Sequence, residues 1–409
     1  MIRVWSDSLG AGLLDRHGPR GTTFAYDHGA ISERAVSMTM PARLASWDQE
    51  WGIHPIFEMN LPEGALREKL RLRFAKATGA FDDLDLLAVV GRSQIGRLRY
   101  TAPNTGLDDE VPFQSIDEIL KHRRDGALFD YLMERFAQYS GIAGVQPKIM
   151  IRDDTDSKIL KAPERDPPSP IHGATHIVKF WDPTEYPHLA ANEYFCLMAA
   201  EKAGLAVPRR RLSEDASALV IDRFDLRSDG SYMGIEDFCV LNGKGTAKKY
   251  EGGYDTNLFN RAKEFITGET RKAELAKLFA LFTLNAAVRN GDAHLKNFAL
   301  VYDEVTGPAR LADVYDVVTT TVYLPNDKMA LTLDGTTRWP DEKQLTKLGL
   351  RRCGLTPKGI KDVLDRIAGG MTDAMADMKR YASDNPDFAE VGARMESEWA
   401  AGINHSLRA

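Results

Sequence analysis

The order of apolar and polar positions divides the chain into a strand-rich half and a helix-rich half. Met1–Trp5 alternates as a strand does, and Gly10, Gly12, Gly18 and Gly21 are expected to supply turns. Pro62-Glu63-Gly64 opens a predicted helix with Ala65–Lys76 behind it, the proline standing where its missing N–H does no harm. A second predicted helix follows Asp82-Asp83 and stops near Gly91, and Ile95–Thr101 reads as a strand. Residues 102–125 are polar and broken by Pro and Gly, which places a boundary there. Leu128–Tyr139 is a predicted helix and Gly141–Gly144 a small-residue loop, with Lys148–Arg152 and Lys158–Lys161 as a short hairpin. The proline-rich stretch 163–170 fits neither a helix nor a central strand, because Pro lacks an N–H and fixes φ. Thr175–Phe180 and Ala218–Phe224 are predicted strands, with the helix Ala191–Ala203 between them. From about Thr256 the pattern turns helical. Lys272–Arg289 is apolar over most of its surface and is expected to be buried. Thr356-Pro357 starts another helix, with Ile360, Val363, Leu364, Ile367 and Met371 on one stripe. Asn385-Pro386 ends it, and a last helix runs to about Asn404.

At 409 residues and 43% hydrophobic, the chain can bury a substantial core and form two lobes of α+β class. Its net charge of −6 argues against a general phosphate-neutralising surface, so DNA would be reached only through a partner. The three cysteines form no C-x-x-C pair, which disfavours a zinc site or disulfide framework and suits a reducing cytoplasm. The first residues lack the apolar core of a signal peptide, and Leu278–Val288 is too short to span a bilayer, so a cytoplasmic protein without membrane contact is expected.

The sharpest chemical signal is Gly291-Asp292-Ala-His294-Leu-Lys296-Asn297, directly after the buried helix. Phosphoryl transfer to a hydroxyl uses a carboxylate beside the nucleophile and a metal ligand close behind it. In protein kinases these are an Asp and an Asn five residues on, the spacing of Asp292 and Asn297. A further acid is needed for the metal, and Asp313-Val-Tyr-Asp316 follows a predicted strand at Phe298–Tyr302. The plainer alternative makes Asp292 a turn cap and His294 and Asn297 buried polar groups. Lys179 on a strand and Glu193 on the next helix have the order of the kinase pair that fixes ATP, although an edge lysine and a solvated glutamate would look the same. Gly141-Ile-Ala-Gly144-Val145-Gln146-Pro-Lys148 offers small residues and a lysine to phosphates, but it lacks the Walker A spacing and a plain turn stays open. Arg209-Arg210-Arg211 reads as a solvated strand edge, Lys121–Arg124 as an exposed helix end or loop, and Gly10-Ala-Gly12 as a hairpin turn.

Taken in order, G-I-A-G-V-Q-P-K, T-H-I-V-K-F, N-E-Y-F-C, I-D-R-F-D, I-E-D-F-C, G-D-A-H-L-K-N and V-Y-D-V-V resemble the HipA family of toxin kinases. Phe57–Gly64 and Asp85–Gly91 resemble its N-terminal subdomain, so the likeness covers nearly the whole chain and is to the full-length type. The resemblance implies a kinase-like bilobal fold with three parts: an N-terminal mixed α/β subdomain over 1–110, an ATP-binding portion over 111–238 and a helical catalytic lobe over 239–409. It implies a Ser/Thr kinase using ATP and Mg²⁺, with Asp292 catalytic and Asn297 and Asp316 on the metal. Lys179 and Glu193 would serve the ATP phosphates, as would Lys148 with the Gly144, Val145 and Gln146 loop. Lys296 is counted with the nucleotide set, and Glu236-Asp237-Phe238 falls where the family binds adenine, chiefly through backbone. The implied partners are a HipB-like helix-turn-helix antitoxin and a protein substrate such as an aminoacyl-tRNA synthetase, with growth arrest as the outcome. In the family a serine just before I-A-G is autophosphorylated and switches the kinase off. Here that position is Gly141, with Ser140 one residue earlier, so either Ser140 takes the phosphate or this autoinhibition is missing. A small-molecule kinase and a catalytically silent corepressor are the competing functions.

Overall fold

The computed structural model describes residues 1–78, 81–107, 110–121, 126–153, 155, 173–181 and 184–408. The expected hairpin arm at 158–161, the proline-rich loop at 163–170 and the end of the basic run at 122–124 lie outside these residues. The chain divides into two compact units. The first holds Met1–Phe180, Arg210–Thr246 and Val301–Pro308, and the second holds Trp181–Arg209, Ala247–Leu300 and Ala309–Ala409.

The first unit contains two antiparallel sheets. One is built from β1 (Ile2–Ser6), β2 (Leu9–His17), β3 (Gly21–Tyr26), β4 (Trp47–Gln49) and β5 (Leu98–Thr101), in the order β4-β3-β2-β1-β5. In β1 the residues Ile2, Val4 and Ser6 are buried while Arg3 and Trp5 are half-exposed, the two-residue period of a strand with one covered face. Gly10 and Gly12, expected in turns, lie within the strand β2, and Gly21 opens β3. The β1–β2 turn is made by Asp7 and Ser8 at φ 50° and 64°. Two consecutive residues of positive φ match the right-handed twist of the flanking strands, and a short polar side chain tolerates that conformation. The helix Asp83–Val90 begins at Asp82, whose carboxylate accepts the N–H groups of Leu84 and Asp85 while the Asp85 side chain takes that of Asp82.

The other sheet runs β6 (Lys148–Ile151), β7 (His176–Lys179), β9 (Leu219–Asp222), β8 (Arg210–Leu212). The strands β6, β7 and β9 are fully or largely buried, whereas the basic β8 is half-exposed along its length and forms an edge, as its charge pattern predicts. The strand β10 (Gly234–Asp237) carries Glu236, whose side chain is completely buried. Its carboxylate accepts from Ser37 Oγ, Met38 N and Tyr302 Oη, each at 2.7 Å. Burial outweighs these bonds and the nearby Arg97 charge, pushing the pKa up to about 7. An acid whose folded pKa is raised stabilises the fold below its ordinary value near 4.5, and that contribution is lost as pH rises through about 7. The loss is on the order of 3 kcal/mol. The melting temperature of the wild type is therefore expected to fall between pH 5 and pH 8 relative to Glu236→Gln, which keeps the acceptor oxygen but cannot ionise. Parallel melting profiles for the two proteins would contradict this.

The second unit is helical. The helix Leu189–Lys202 packs on Pro357–Asp384, whose buried residues include Ile360, Val363, Leu364, Ile367, Met371 and Met378. Thr356 caps the latter helix by accepting the Gly359 N–H, with Pro357 at the first position, as the sequence indicates. The helix Arg271–Ala287 is buried from Leu278 to Ala287. Buried Asn192 of the helix Leu189–Lys202 and buried Trp399 of the last helix, Ala389–Gly402, both bond the segment after Asp316. The Asn192 amide both donates to Thr319 O (3.1 Å) and accepts from Thr319 N (2.8 Å), and Trp399 Nε1 donates to Thr319 Oγ1 (2.7 Å). Asn192 of the N-E-Y-F-C motif is thus a brace for the backbone beyond Asp316. No helix among the described residues is long and apolar enough to cross a membrane.

Candidate active site

In the first unit the antiparallel register places Lys148 of β6 directly opposite Lys179 of β7. Directly opposed residues project to the same face, and like charges there repel. Both lysines are buried, at 4% and 3% exposure. Lysine side chains on this face suit an anion such as phosphate. The Gly141–Gly144 loop precedes β6, and a side chain at Gly144 would collide with the Lys148 ammonium, so the loop backbone lies against that charge. Gly144 has φ +120°, a conformation that glycine alone adopts readily. Gln146 adds a buried Nε2 with no hydrogen-bond partner. The structure therefore brings Gly144, Gln146 and the two lysines into one neighbourhood, while Val145 is exposed.

Ser140 is 0% exposed, donates to Phe136 O (2.7 Å) and accepts the Met150 N–H (2.8 Å). In this conformation the hydroxyl is buried and engaged on both sides within the protein. Glu236 and Phe238 are likewise buried, and the Glu236 carboxylate is turned to Ser37, Met38 and Tyr302. Any part these two take in nucleotide binding is left to backbone.

In the second unit the buried helix ends at Ala287, and Arg289 turns the chain at φ +61°. A non-glycine residue in that region costs roughly 1–3 kcal/mol, and its neighbours hold it there. Thr320 N donates to Arg289 O, and Thr320 Oγ1 accepts the Gly291 N–H at 2.7 Å and donates to Asp327. Asn285, a buried polar residue of this helix, accepts from Asn290 Nδ2 at 2.7 Å, and Asn290 Oδ1 accepts the Asp292 N–H at 3.1 Å. The loop is rigidly set before Asp292 is reached.

The Asp292 carboxylate emerges at the surface and accepts a hydrogen bond from Tyr250 Oη at 2.6 Å. Its pKa lies above the ordinary carboxylate value. Desolvation by the crowded protein around it is the largest cause, and the charges of Asp316 and Asp327 add to it. The Tyr250 hydroxyl and the Lys249 charge act the other way. The side chain is reached by solvent and yet loses hydration on its protein-facing sides. His294 is buried, and its pKa is lowered to about 3, mainly by desolvation and then by Lys249, so its ring is neutral. Asn297 Oδ1 accepts the His294 N–H at 3.1 Å, which fixes the amide and leaves that oxygen a second lone pair. Lys296 is buried and its carbonyl accepts from Tyr315 Oη at 2.9 Å. Asp316 is half-buried at φ +52°, a second non-glycine residue in the left-handed region. Glu193 is buried on the helix Leu189–Lys202 of this same unit.

Among the described residues no three His, Cys, Asp or Glu side chains are grouped as metal ligands. Mg²⁺ commonly takes one or two protein carboxylates and completes its shell with water and substrate phosphates. Asn297 and Asp316 offer hard oxygen donors of that kind, and the mutual influence of Asp292, Asp316 and Asp327 shows the negative field a cation would relieve. Tyr250, Lys249, Asp327 and Thr320 were not legible as site residues. Tyr250, Lys249 and Asp327 act on Asp292 from remote positions, Thr320 holds the Gly291 N–H beside it, and no local sequence signal marks any of the four.

Family models for the HipA N-terminal domain and the HipA-like C-terminal domain match residues 2–101 and 140–375. The chain belongs to the HipA family. Two proteins of Sinorhizobium fredii (strain NBRC 101917 / NGR234) named as candidate kinases, Y4dM and Y4mE, are 27% and 28% identical to it over 68% and 79% of its length. Those matches span 65% and 78% of the relatives' own lengths. HipA of Shewanella oneidensis MR-1, solved with HipB and its operator DNA, shares the fold with a TM-score of 0.69 at 19% identity. That likeness covers 99% of this chain and 97% of the other. The α+β class and the HipA fold stand as the sequence indicates.

Proposed function

We propose that this HipA-family chain is a Mg-ATP-dependent protein kinase that phosphorylates a serine or threonine hydroxyl and acts as the toxin of a toxin–antitoxin pair. The observation that carries the reading is the Asp292 carboxylate: surface-exposed, already holding a hydroxyl, and set in a rigid loop within the field of Asp316. Asp292 orients the acceptor hydroxyl and takes its proton as the oxygen attacks. Lys148 and Lys179 with the glycine loop bind phosphate oxygens. Asn297 and Asp316 would hold Mg²⁺, which when bound neutralises charge on those oxygens. Rate enhancement comes from positioning and fixed charge.

The proposed partner is a HipB-like helix-turn-helix antitoxin. The Shewanella complex contains such a pair on DNA, and an acidic chain suits reaching DNA through a basic partner. The proposed target is a translation component such as an aminoacyl-tRNA synthetase, with growth arrest following. Incubating the purified protein with Mg²⁺, ATP and cell lysate, and reading phosphopeptides by mass spectrometry, tests this. Ser/Thr phosphopeptides from a translation protein should appear with the wild type and not with Asp292→Asn, and Ser140 should stay unmodified. Identical phosphopeptide sets from the two folded proteins would overturn the kinase reading.

A further inference from the structure

The glycine loop is held at both ends by residues of the domain matched at 2–101, all within the first unit. At its start, Gly141 N donates to Ser93 O (2.9 Å) and Ile95 N donates to Gly141 O (3.2 Å), a short parallel bridge between Gln94 and Gly141. A Cβ at Gly141 would stand 2.6 Å from both Ser93 O and Gln94 Cγ, so no larger residue fits while the two segments are paired. At its far end, Gly144 N donates to Glu63 Oε1 at 3.0 Å. The neighbouring Gly64, at φ +52°, brings its backbone so close to Val145 that a Cβ would lie 2.7 Å from Val145 O. Close backbone approach at two separate points, each requiring glycine, is a built contact rather than a chance one.

We infer that the N-terminal domain is a clamp on the phosphate-facing loop and that Glu63 is the positioning residue of nucleotide binding. This rests on the kinase reading, and it gives the N-terminal domain a part in the chemistry of this same chain. A loop of small residues is floppy by itself, and ordering it on binding would weaken the nucleotide's affinity. Anchoring Gly144 through Glu63 and Gly141 through Ser93–Ile95 fixes the loop beforehand, against the Lys148 ammonium. Glu63 touches no reacting atom, so it should act on affinity and leave turnover alone. The hydrogen bond needs an acceptor oxygen and not a charge, so Gln at this position should serve and Ala should not.

The test compares full-length wild type, Glu63→Gln, Glu63→Ala and Asp292→Asn for ATP binding by calorimetry and for phosphoryl transfer. Hydrogen exchange of the 141–148 amides without nucleotide is measured beside them. Glu63→Ala should raise the KM and Kd for ATP roughly five- to tenfold, the net effect of one ordinary hydrogen bond. Its kcat should change less than about twofold. It should also speed loop exchange while the melting temperature holds, and Glu63→Gln should restore both readouts. Tighter ATP binding in both Glu63 variants would overturn the clamp, because the carboxylate would then be competing with phosphate. Loop exchange unchanged in Glu63→Ala would overturn it without reference to nucleotide. Failure of the wild type to bind ATP would overturn the kinase reading and this inference together, whereas an active wild type, a dead Asp292→Asn and an indifferent Glu63→Ala would overturn only the latter.

Discussion

Replacing Asp292 by Asn is expected to lower phosphoryl transfer by about 10²–10⁴-fold, the usual loss when a positioned proton acceptor is removed. Stability should change little, within about 0.5 kcal/mol, because the side chain is exposed and no packing is lost. The amide oxygen can still accept from Tyr250 Oη, and the Asp292 backbone bond to Asn290 is untouched. Removing one negative charge beside Asp316 and Asp327 even relieves repulsion. Side-chain size, loop shape and local bonding are thus retained, while the negative charge and its basicity are lost. Measuring kcat for ATP-dependent transfer, with the melting temperature recorded for both proteins, checks the separation. A variant keeping more than a tenth of the wild-type rate would remove Asp292 from its proposed role. A dead variant that has also unfolded would say nothing about chemistry, and the exposed setting of the side chain is the reason to expect a folded one.

What could be read from the sequence was whatever is written locally. Thr356-Pro357, Asp82-Asp83 and Asn385-Pro386 are capping or breaking signals whose partners lie within a few residues, and each falls at an element boundary. The loop from Asp292 to Asn297 is short enough that its spacing alone suggests kinase chemistry. The opposed lysines were half legible. Their strands can be predicted, but the register that sets Lys148 against Lys179 depends on long-range pairing. Tyr250 and Asp327 could not be found this way, since nothing near them in sequence marks their approach to Asp292. Gly141 shows the same limit from the other side. As a departure from the family pattern it reads as a lost hydroxyl, whereas in space it is where the chain meets Ser93 with no room for a side chain.

The I-D-R-F-D motif also had a meaning visible only in three dimensions, and it carries the largest expected loss of stability. Arg223 and Asp225 are 0% and 1% exposed and form a two-point ion pair, with Nε to Oδ1 at 3.0 Å and Nη2 to Oδ2 at 2.5 Å. Arg223 also donates to Gln94 O (2.9 Å), its guanidinium lies 4.2 Å from the centre of the Tyr232 ring, and Asp225 Oδ2 accepts the Gly96 N–H (2.6 Å). Burial raises the Asp225 pKa, but the Arg223 charge and hydrogen bonds outweigh it, so the carboxyl stays below its ordinary value and the pair survives mild acid. Removing one member of such a pair leaves a buried charge uncompensated, which costs about 3–5 kcal/mol. Asp225→Ala is therefore expected to lose that much in urea unfolding at pH 7, while Arg223→Met with Asp225→Leu recovers at least half of it, because the uncompensated charge is gone. A cost below about 1 kcal/mol for Asp225→Ala would mean that Gln94 O, Ala174 O and the Tyr232 ring already satisfy the guanidinium without the carboxylate. The pair braces Gln94–Gly96, the segment that bonds Gly141, so the same substitution should also loosen the glycine loop. Faster hydrogen exchange at 141–148 in Asp225→Ala, under conditions where the protein remains folded, would tie the stability of the first unit to the readiness of the phosphate site.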